Sequence, residues 1–232
     1  MHLLIKGDAR RLPVDPKAID AIVSDPPYGI RYSPGGGGRG WTNGVKTFSG
    51  NNLIINDDKP FDPSLWLNFP IVVLWGANHF ADKLPARATW FVWDKRQDGL
   101  TNDFADCEMA WCSVGGPARM FRYLWCGAFK AGEHGWQRHH PTQKPIALMR
   151  WCIQKLKLKP NSLILDPYCG SGSTGIAALQ EGHRFIGIDL DGNYVRIAKR
   201  RIERPHSHIP RPAREEHHPL FDRLESPSEP PH

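Results

Sequence analysis

Cysteine is scarce: the 232 residues hold five, at positions 107, 112, 126, 152 and 169, odd in number, irregularly spaced and without a C-x-x-C pair. That excludes a disulfide framework and leaves no zinc-ligand pattern, so no metal is expected. No apolar run approaches the roughly 20 residues of a membrane span. The apolar stretch within MHLLIKGDARRL is too short for a signal peptide. Acidic residues are in deficit, 24 against 30 Lys and Arg for a formal charge of +6, which favours a polyanionic partner without demanding one. A reducing, cytoplasmic setting away from membranes is the expectation.

What is present is ordinary for a globular protein, 40% hydrophobic and 23% charged residues in a length that suits one large domain. Apolar runs of strand length recur at 2–5, 19–24, 71–75, 89–93, 109–113, 163–166 and 184–189. Several are continuous rather than alternating, as in strands buried on both faces of a parallel sheet. The expected fold is therefore α/β, a three-layer, mostly parallel sheet. Pro145 stands where a helix begins, and Met149, Cys152, Ile153 and Leu156 would share one face of that helix. In NYVRIAKRRIE, Tyr194, Val195, Ala198 and Ile202 would face the core, with Arg196, Lys199, Arg200 and Arg201 outward. The stretch 31–57, rich in glycine and turn formers, reads as a mobile loop. The stretch 204–232, rich in Pro, His, Ser and Glu, reads as a disordered tail.

Two short stretches carry chemistry. In SLILDPYCGSGSTGIAALQEGHRFIGIDLD, Gly170, Gly172 and Gly175 form G-x-G-x-x-G between an expected strand and an expected helix, and Asp189 ends the next strand. Such a loop lets backbone approach a nucleoside cofactor, with the acid accepting from ribose hydroxyls. It also occurs as a plain βα turn. A nicotinamide dinucleotide enzyme would need further strands downstream, whereas only about forty residues follow Asp189. The second stretch, SDPPYGI at 24–30, halts an apolar strand on an acid, two prolines and an aromatic ring.

SDPPYGI, then HPTQKP at 140–145, LDPYCGSGST at 165–174 and GIDLDGNYVRIAKRRI at 187–202, resembles the β class of DNA amino-methyltransferases that use S-adenosylmethionine (SAM). The resemblance covers about residues 2–203 and implies a Rossmann-like, seven-stranded sheet with permuted motif order, the catalytic motif preceding the cofactor motif. It implies SAM as cofactor, double-stranded DNA as partner and site-specific methylation of adenine N6. Cytosine-N4 methylation is the nearest alternative; a nicotinamide-dependent oxidoreductase and a catalytically silent DNA-binding module are more distant ones. Related enzymes are often dimers, although no interface is legible in the sequence, and neither is a partner endonuclease.

By the same resemblance Asp25, Pro26, Pro27 and Tyr28 are catalytic. Tyr168, Cys169 and Gly170 approach the methionine part of SAM, Ser171, Ser173 and Thr174 bring hydroxyls near its carboxylate, and Gly172 belongs to the same turn. Asp189 takes the ribose, Asp8 of the Gly7-Asp8 pair lies beside the adenine, and Asp25 and Asp166 border the pocket. Thr142 and Lys144 close over the carboxylate. Gly7-Asp8 would set the first strand beside strand 184–189. Tyr168 replaces the family's usual Phe, and Ser173 precedes Thr174 where Thr usually follows Gly-Ser-Gly directly. DNA contacts are expected from Tyr32, Arg39 and Trp41, and from Arg119, Arg122, Lys130, His134, Trp136 and Arg138 in a small recognition region at 113–139. Cations interleaved with aromatics suit phosphate contacts and base wedging.

The acid and the prolines suit transfer to an exocyclic amine, whose lone pair is delocalised into the ring. Asp25 can accept one N–H and the Pro26 carbonyl the other, localising the lone pair for in-line attack. The prolines stiffen that pair before the base arrives. The Tyr28 ring offers a stacking platform for a base that must first be flipped from the duplex.

Overall fold

The computed structural model describes residues 1–31, 55–86, 89–96, 105–126, 129–130 and 143–204. In chain order the elements are β1 (His2–Lys6), β2 (Ala21–Ser24), β3 (Val72–Trp75), β4 (Trp90–Asp94), β5 (Cys107–Cys112), β6 (Arg119–Arg122), β7 (Trp125–Cys126), β8 (Phe129–Lys130), α1 (Ile146–Lys155), β9 (Leu163–Asp166), α2 (Ser173–Gln180), β10 (Arg184–Asp189) and α3 (Gly192–Glu203). Eight strands form one sheet in the order β1-β10-β9-β2-β3-β5-β4-β6, and β7 with β8 makes a separate ribbon. Only β5 runs against the rest of the large sheet.

All seven expected strands are present, and β1 lies parallel to β10 as expected. The sheet has eight strands rather than seven because Arg119–Arg122 pairs in parallel with β4. That strand hides in the sequence because Phe121 is its one buried residue, packed 5.2 Å from the Trp151 ring, while Arg119, Met120 and Arg122 are exposed at the sheet edge. Arg119 and Arg122 thus belong to the large sheet.

Two apolar clusters flank the sheet. Ala21, Val23, Val73, Trp75, Phe91 and Trp93 pack with α1 and α2 on one side. On the other, Ile22, Val72, Leu74, Trp111, Leu165 and Ile188 meet Phe61, Trp66, Phe69 and Phe80. Short 3₁₀ turns at 66–68, 77–79 and 81–83 carry part of this second cover in place of full helices. The four residues of β2 are all buried, which explains the unbroken apolar run of its first three. Each large side chain so buried contributes about 1.5–3 kcal/mol.

Helix α1 is buried from Ile146 through Ile153 rather than along one face. Its Arg150 is neutralised by Glu181 at 2.7 Å. On α3, Arg201 is 2% exposed, so the outward orientation expected from its charge is corrected: its guanidinium reaches under the glycine loop. No helix among the described residues is long and apolar enough to cross a membrane.

Candidate active site

The two chemical motifs meet because β9 and β2 are neighbours, with Ala21 opposite Ile164 and Ile22 opposite Leu165. From β9 the chain crosses through α2 on one face to β10. Of the chain between β2 and β3, Phe61, Trp66 and Phe69 pack on the other face. Connections leaving neighbouring strands toward opposite faces open a crevice beyond their carboxyl ends, where α/β sheets bind ligands. Asp25 follows β2 and the glycine loop follows β9, on either side of that crevice. The Ser24 hydroxyl joins them, donating to Asp166 Oδ1 at 2.6 Å.

Asp25 is not isolated. The Tyr28 hydroxyl donates to its Oδ1, and Lys144 Nζ lies 2.7 Å from its Oδ2 and 3.1 Å from the Tyr28 oxygen. Lys144, 5% exposed at its side chain, also lies 2.9 Å from Glu108 Oε2. Glu108 Oε1 accepts from Lys95 at 2.8 Å. Two carboxylates and two ammonium groups therefore neutralise one another. Burial pushes the Asp25 carboxyl above its ordinary value, with Lys144 opposing. Burial would raise Glu108 as well, but Lys144 and Lys95 outweigh it and hold that carboxyl at about 2. Burial disfavours the charge on Lys144, yet Asp25 and Glu108 keep it well above its usual range.

Behind the acid, Pro26 is buried and Pro27 half-buried. The Tyr28 ring lies parallel to the His79 imidazole with centroids 5.0 Å apart. Asp57, 3% exposed, receives the Gly29 amide at 2.8 Å and fastens the end of the motif.

The glycine loop is held from three directions. Gly170 N donates to Asp189 Oδ2 and Asp191 N to Asp189 Oδ1, each at 2.8 Å, so both oxygens of that half-buried carboxylate are oriented and retain lone pairs. Gly172 has φ 82°, and a Cβ there would stand 2.9 Å from Ala198 Cβ, so only glycine lets α3 approach. Arg201 Nη1 donates to the Ser171 carbonyl at 2.5 Å and to its hydroxyl at 2.8 Å. Beyond the loop α2 starts at Ser173, its first-turn amides unpaired within the helix.

The expected residues fall into distinct groups. Asp25 and Tyr28 come together with Lys144, which contacts the motif acid. Tyr168, Cys169, Gly170, Ser171, Gly172, Ser173 and Thr174 line one turn beside Asp166 and Asp189. Ser171 is tied to Arg201, and Thr174 is hydrogen-bonded to Asp166. Tyr168 meets Trp66 and Phe61 edge to face, and Cys169 is buried. Asp8 lies beyond the end of β1, next to Gly7, whose amide donates to the Asp189 carbonyl; it caps a short turn and grips Arg10 Nη2 at 2.9 Å. Arg122 reaches Asp94 at 3.5 Å. Lys130 is placed by its backbone pairing with Trp125. Tyr32, Arg39, Trp41, His134, Trp136, Arg138 and Thr142 lie outside the described residues, as do most of 31–57 and all of 205–232.

Sequence reasoning missed Glu108, Lys95, Asp57 and Arg201. The antiparallel course of β5 brings its first residues to the carboxyl ends of the other strands, with Glu108 opposite Trp93 and Cys107 opposite Asp94. A strand of unmarked direction gives no such signal.

Asp166 has a measurable consequence. Burial drives its carboxyl to about 6, while hydrogen bonds from Ser24, Thr174 and Tyr168 pull the other way. A folded value above the unfolded one, about 3.8, means that the native state holds the extra proton between them. Stability from this group is full below the lower value and is lost as pH rises through about 6. The loss is on the order of 2–3 kcal/mol at neutral pH. Urea denaturation of Asp166→Asn against wild type across pH 4 to about 7 tests this. The variant is expected to gain relative stability as pH rises, and a constant difference would refute it.

Residues 89–200 match the DNA methylase family. The chain is 32% identical over 113 residues to the type II methyltransferase M2.LlaDCHI of Lactococcus lactis subsp. cremoris, covering 49% of this chain and 41% of that protein. It is 40% identical over 85 residues to the type II methyltransferase M2.DpnII of Streptococcus pneumoniae (37% and 31%). It is 40% identical over 65 residues to the DNA adenine methyltransferase YhdJ of Escherichia coli strain K12 (28% and 22%). The matched stretches thus span less than half the length of these relatives. Among solved structures, the M1.HpyAVI–SAM complex superposes with a TM-score of 0.53 at 24% identity over 87% of this chain and 100% of that one. The cytosine-N4-specific PvuII DNA methyltransferase gives 0.55 at 14% over 88% and 87%. These two likenesses show the Rossmann-like fold of SAM-dependent DNA methyltransferases. With its acid-proline-proline-tyrosine motif and glycine loop on one crevice, the chain is similar over these stretches to the DNA methylase family of N6-adenine and N4-cytosine amino-methyltransferases.

Proposed function

We propose that this chain transfers a methyl group from SAM to the exocyclic N6 amine of an adenine flipped out of double-stranded DNA. The observation carrying this reading is the juxtaposition of Asp25 with the glycine loop through the Ser24–Asp166 hydrogen bond of 2.6 Å. The residues present fit the cofactor. Asp189 offers oriented lone pairs to ribose hydroxyls, and the amides opening α2 face the loop where a carboxylate is favoured. SAM, when bound, supplies an electrophilic methyl on a sulfonium.

The chain supplies the geometry of the nucleophile. A carboxylate has about four acceptor positions. Tyr28 and Lys144 occupy two on Asp25, leaving room for one amine N–H. The carbonyl of Pro26 takes the other N–H, and the prolines keep the two acceptors in place beforehand. Tyr28, steadied by His79, gives the base its stacking surface.

Adenine is favoured over cytosine by the leading Asp of the motif and by the relative named as an adenine enzyme. The test is transfer of tritium from labelled SAM to duplex DNA, with nucleoside analysis of the product. Label in N6-methyladenine supports the proposal, and label in N4-methylcytosine replaces it by the cytosine reading. Absence of label from every duplex tried would refute transfer. Calorimetry that found tight binding of NAD and none of SAM would point to an oxidoreductase.

A further inference from the structure

If Asp25 grips the substrate amine as proposed, it must hold one orientation and remain a strong acceptor, and the role of its neighbours rests on that reading. Its counter-ion Lys144 has a flexible four-carbon stem and three donors, so a single carboxylate partner fixes it poorly. Here the ammonium is divided between Asp25 Oδ2 at 2.7 Å and Glu108 Oε2 at 2.9 Å. Glu108 is itself anchored by Lys95 at 2.8 Å. The anchor comes from elsewhere in the sheet: Glu108 lies on β5, Lys95 just beyond β4 and Asp25 just beyond β2.

We propose that Glu108 is a positioning residue that, as a second counter-ion, fixes the Lys144 ammonium between two carboxylates and so keeps the motif carboxylate oriented and able to accept from the substrate amine. A lysine partnered by Asp25 alone would be free to swing about its 2.7 Å contact and cover the lone pairs that the incoming N–H needs. Shared with Glu108, it steadies Asp25 without saturating it. Removing the Glu108 charge also leaves the cluster with one excess buried cation, which strengthens Lys144's grip on its remaining partner.

The test compares wild type, Glu108→Gln, Lys144→Met and the double variant by single-turnover methyl transfer to DNA, SAM calorimetry and thermal unfolding. Glu108→Gln is expected to slow transfer about 10- to 100-fold, with SAM affinity within about threefold of wild type. In the Lys144→Met background the same change should cost less than about threefold, because Glu108 acts through that lysine. A folded Glu108→Gln protein with an unchanged transfer rate would overturn the proposal, as would losses that multiply in the double variant. Should Glu108→Gln fail to fold, Glu108→Asp, which keeps the charge but shortens its reach, carries the test by the same two criteria. A wild-type protein that methylates no DNA refutes the functional reading instead, so the two failures are distinguishable.

Discussion

Asp25→Ala is expected to reduce methyl transfer by at least about 10²–10³-fold while leaving SAM affinity within a few-fold of wild type. The carboxylate meets Tyr28 and Lys144, whereas the acid proposed to face the ribose is Asp189, across the crevice at the end of β10. Losing an acceptor aimed at the reacting amine removes stabilisation that develops only as the lone pair localises, so the rate falls more than binding. Folding should survive, because Lys144 keeps Glu108 as its counter-ion at 2.9 Å. Rapid-quench transfer under saturating DNA, paired with calorimetry, makes the comparison. Turnover near wild type would dismiss Asp25 from the chemistry, and a parallel collapse of SAM affinity would reassign it to the cofactor.

Much of the frame was legible because burial on both faces leaves an unbroken apolar run, as in 21–23 and Val72–Trp75. The eighth strand was not, since an edge strand buries one face and Phe121 alone marks it. Charge misled at Arg201. It looks solvent-facing in a helical wheel, but it is buried against Ser171, remote in sequence. The same limit hid Glu108 and Lys95, whose roles depend on β5 running antiparallel between β3 and β4. The motif stretches were readable because their backbone demands, prolines that stop a strand and a glycine that admits α3, are local.

Gly76→Ala is expected to be the most damaging single-methyl change near the crevice. Gly76 follows β3 with φ 70°, where an L side chain costs about 1–2 kcal/mol. A Cβ there would stand 1.9 Å from Tyr28 Cε1 and 2.2 Å from Cζ, distances at which the ring must leave. Moving the ring pulls its hydroxyl from Asp25 and Lys144 and adds about 1–3 kcal/mol of overpacking. Gly182 isolates the steric part: its φ is 78°, yet a Cβ would meet nothing within 4 Å. Gly182→Ala should therefore show the backbone penalty alone and transfer methyl normally. Gly76→Ala should unfold at lower urea and lose transfer about 100-fold or more, with SAM binding affected less, because the glycine loop lies across the crevice. If the two variants proved equal in stability and rate, the close packing of Tyr28 against Gly76 would have no functional weight, and base capture would have to be sought on another ring.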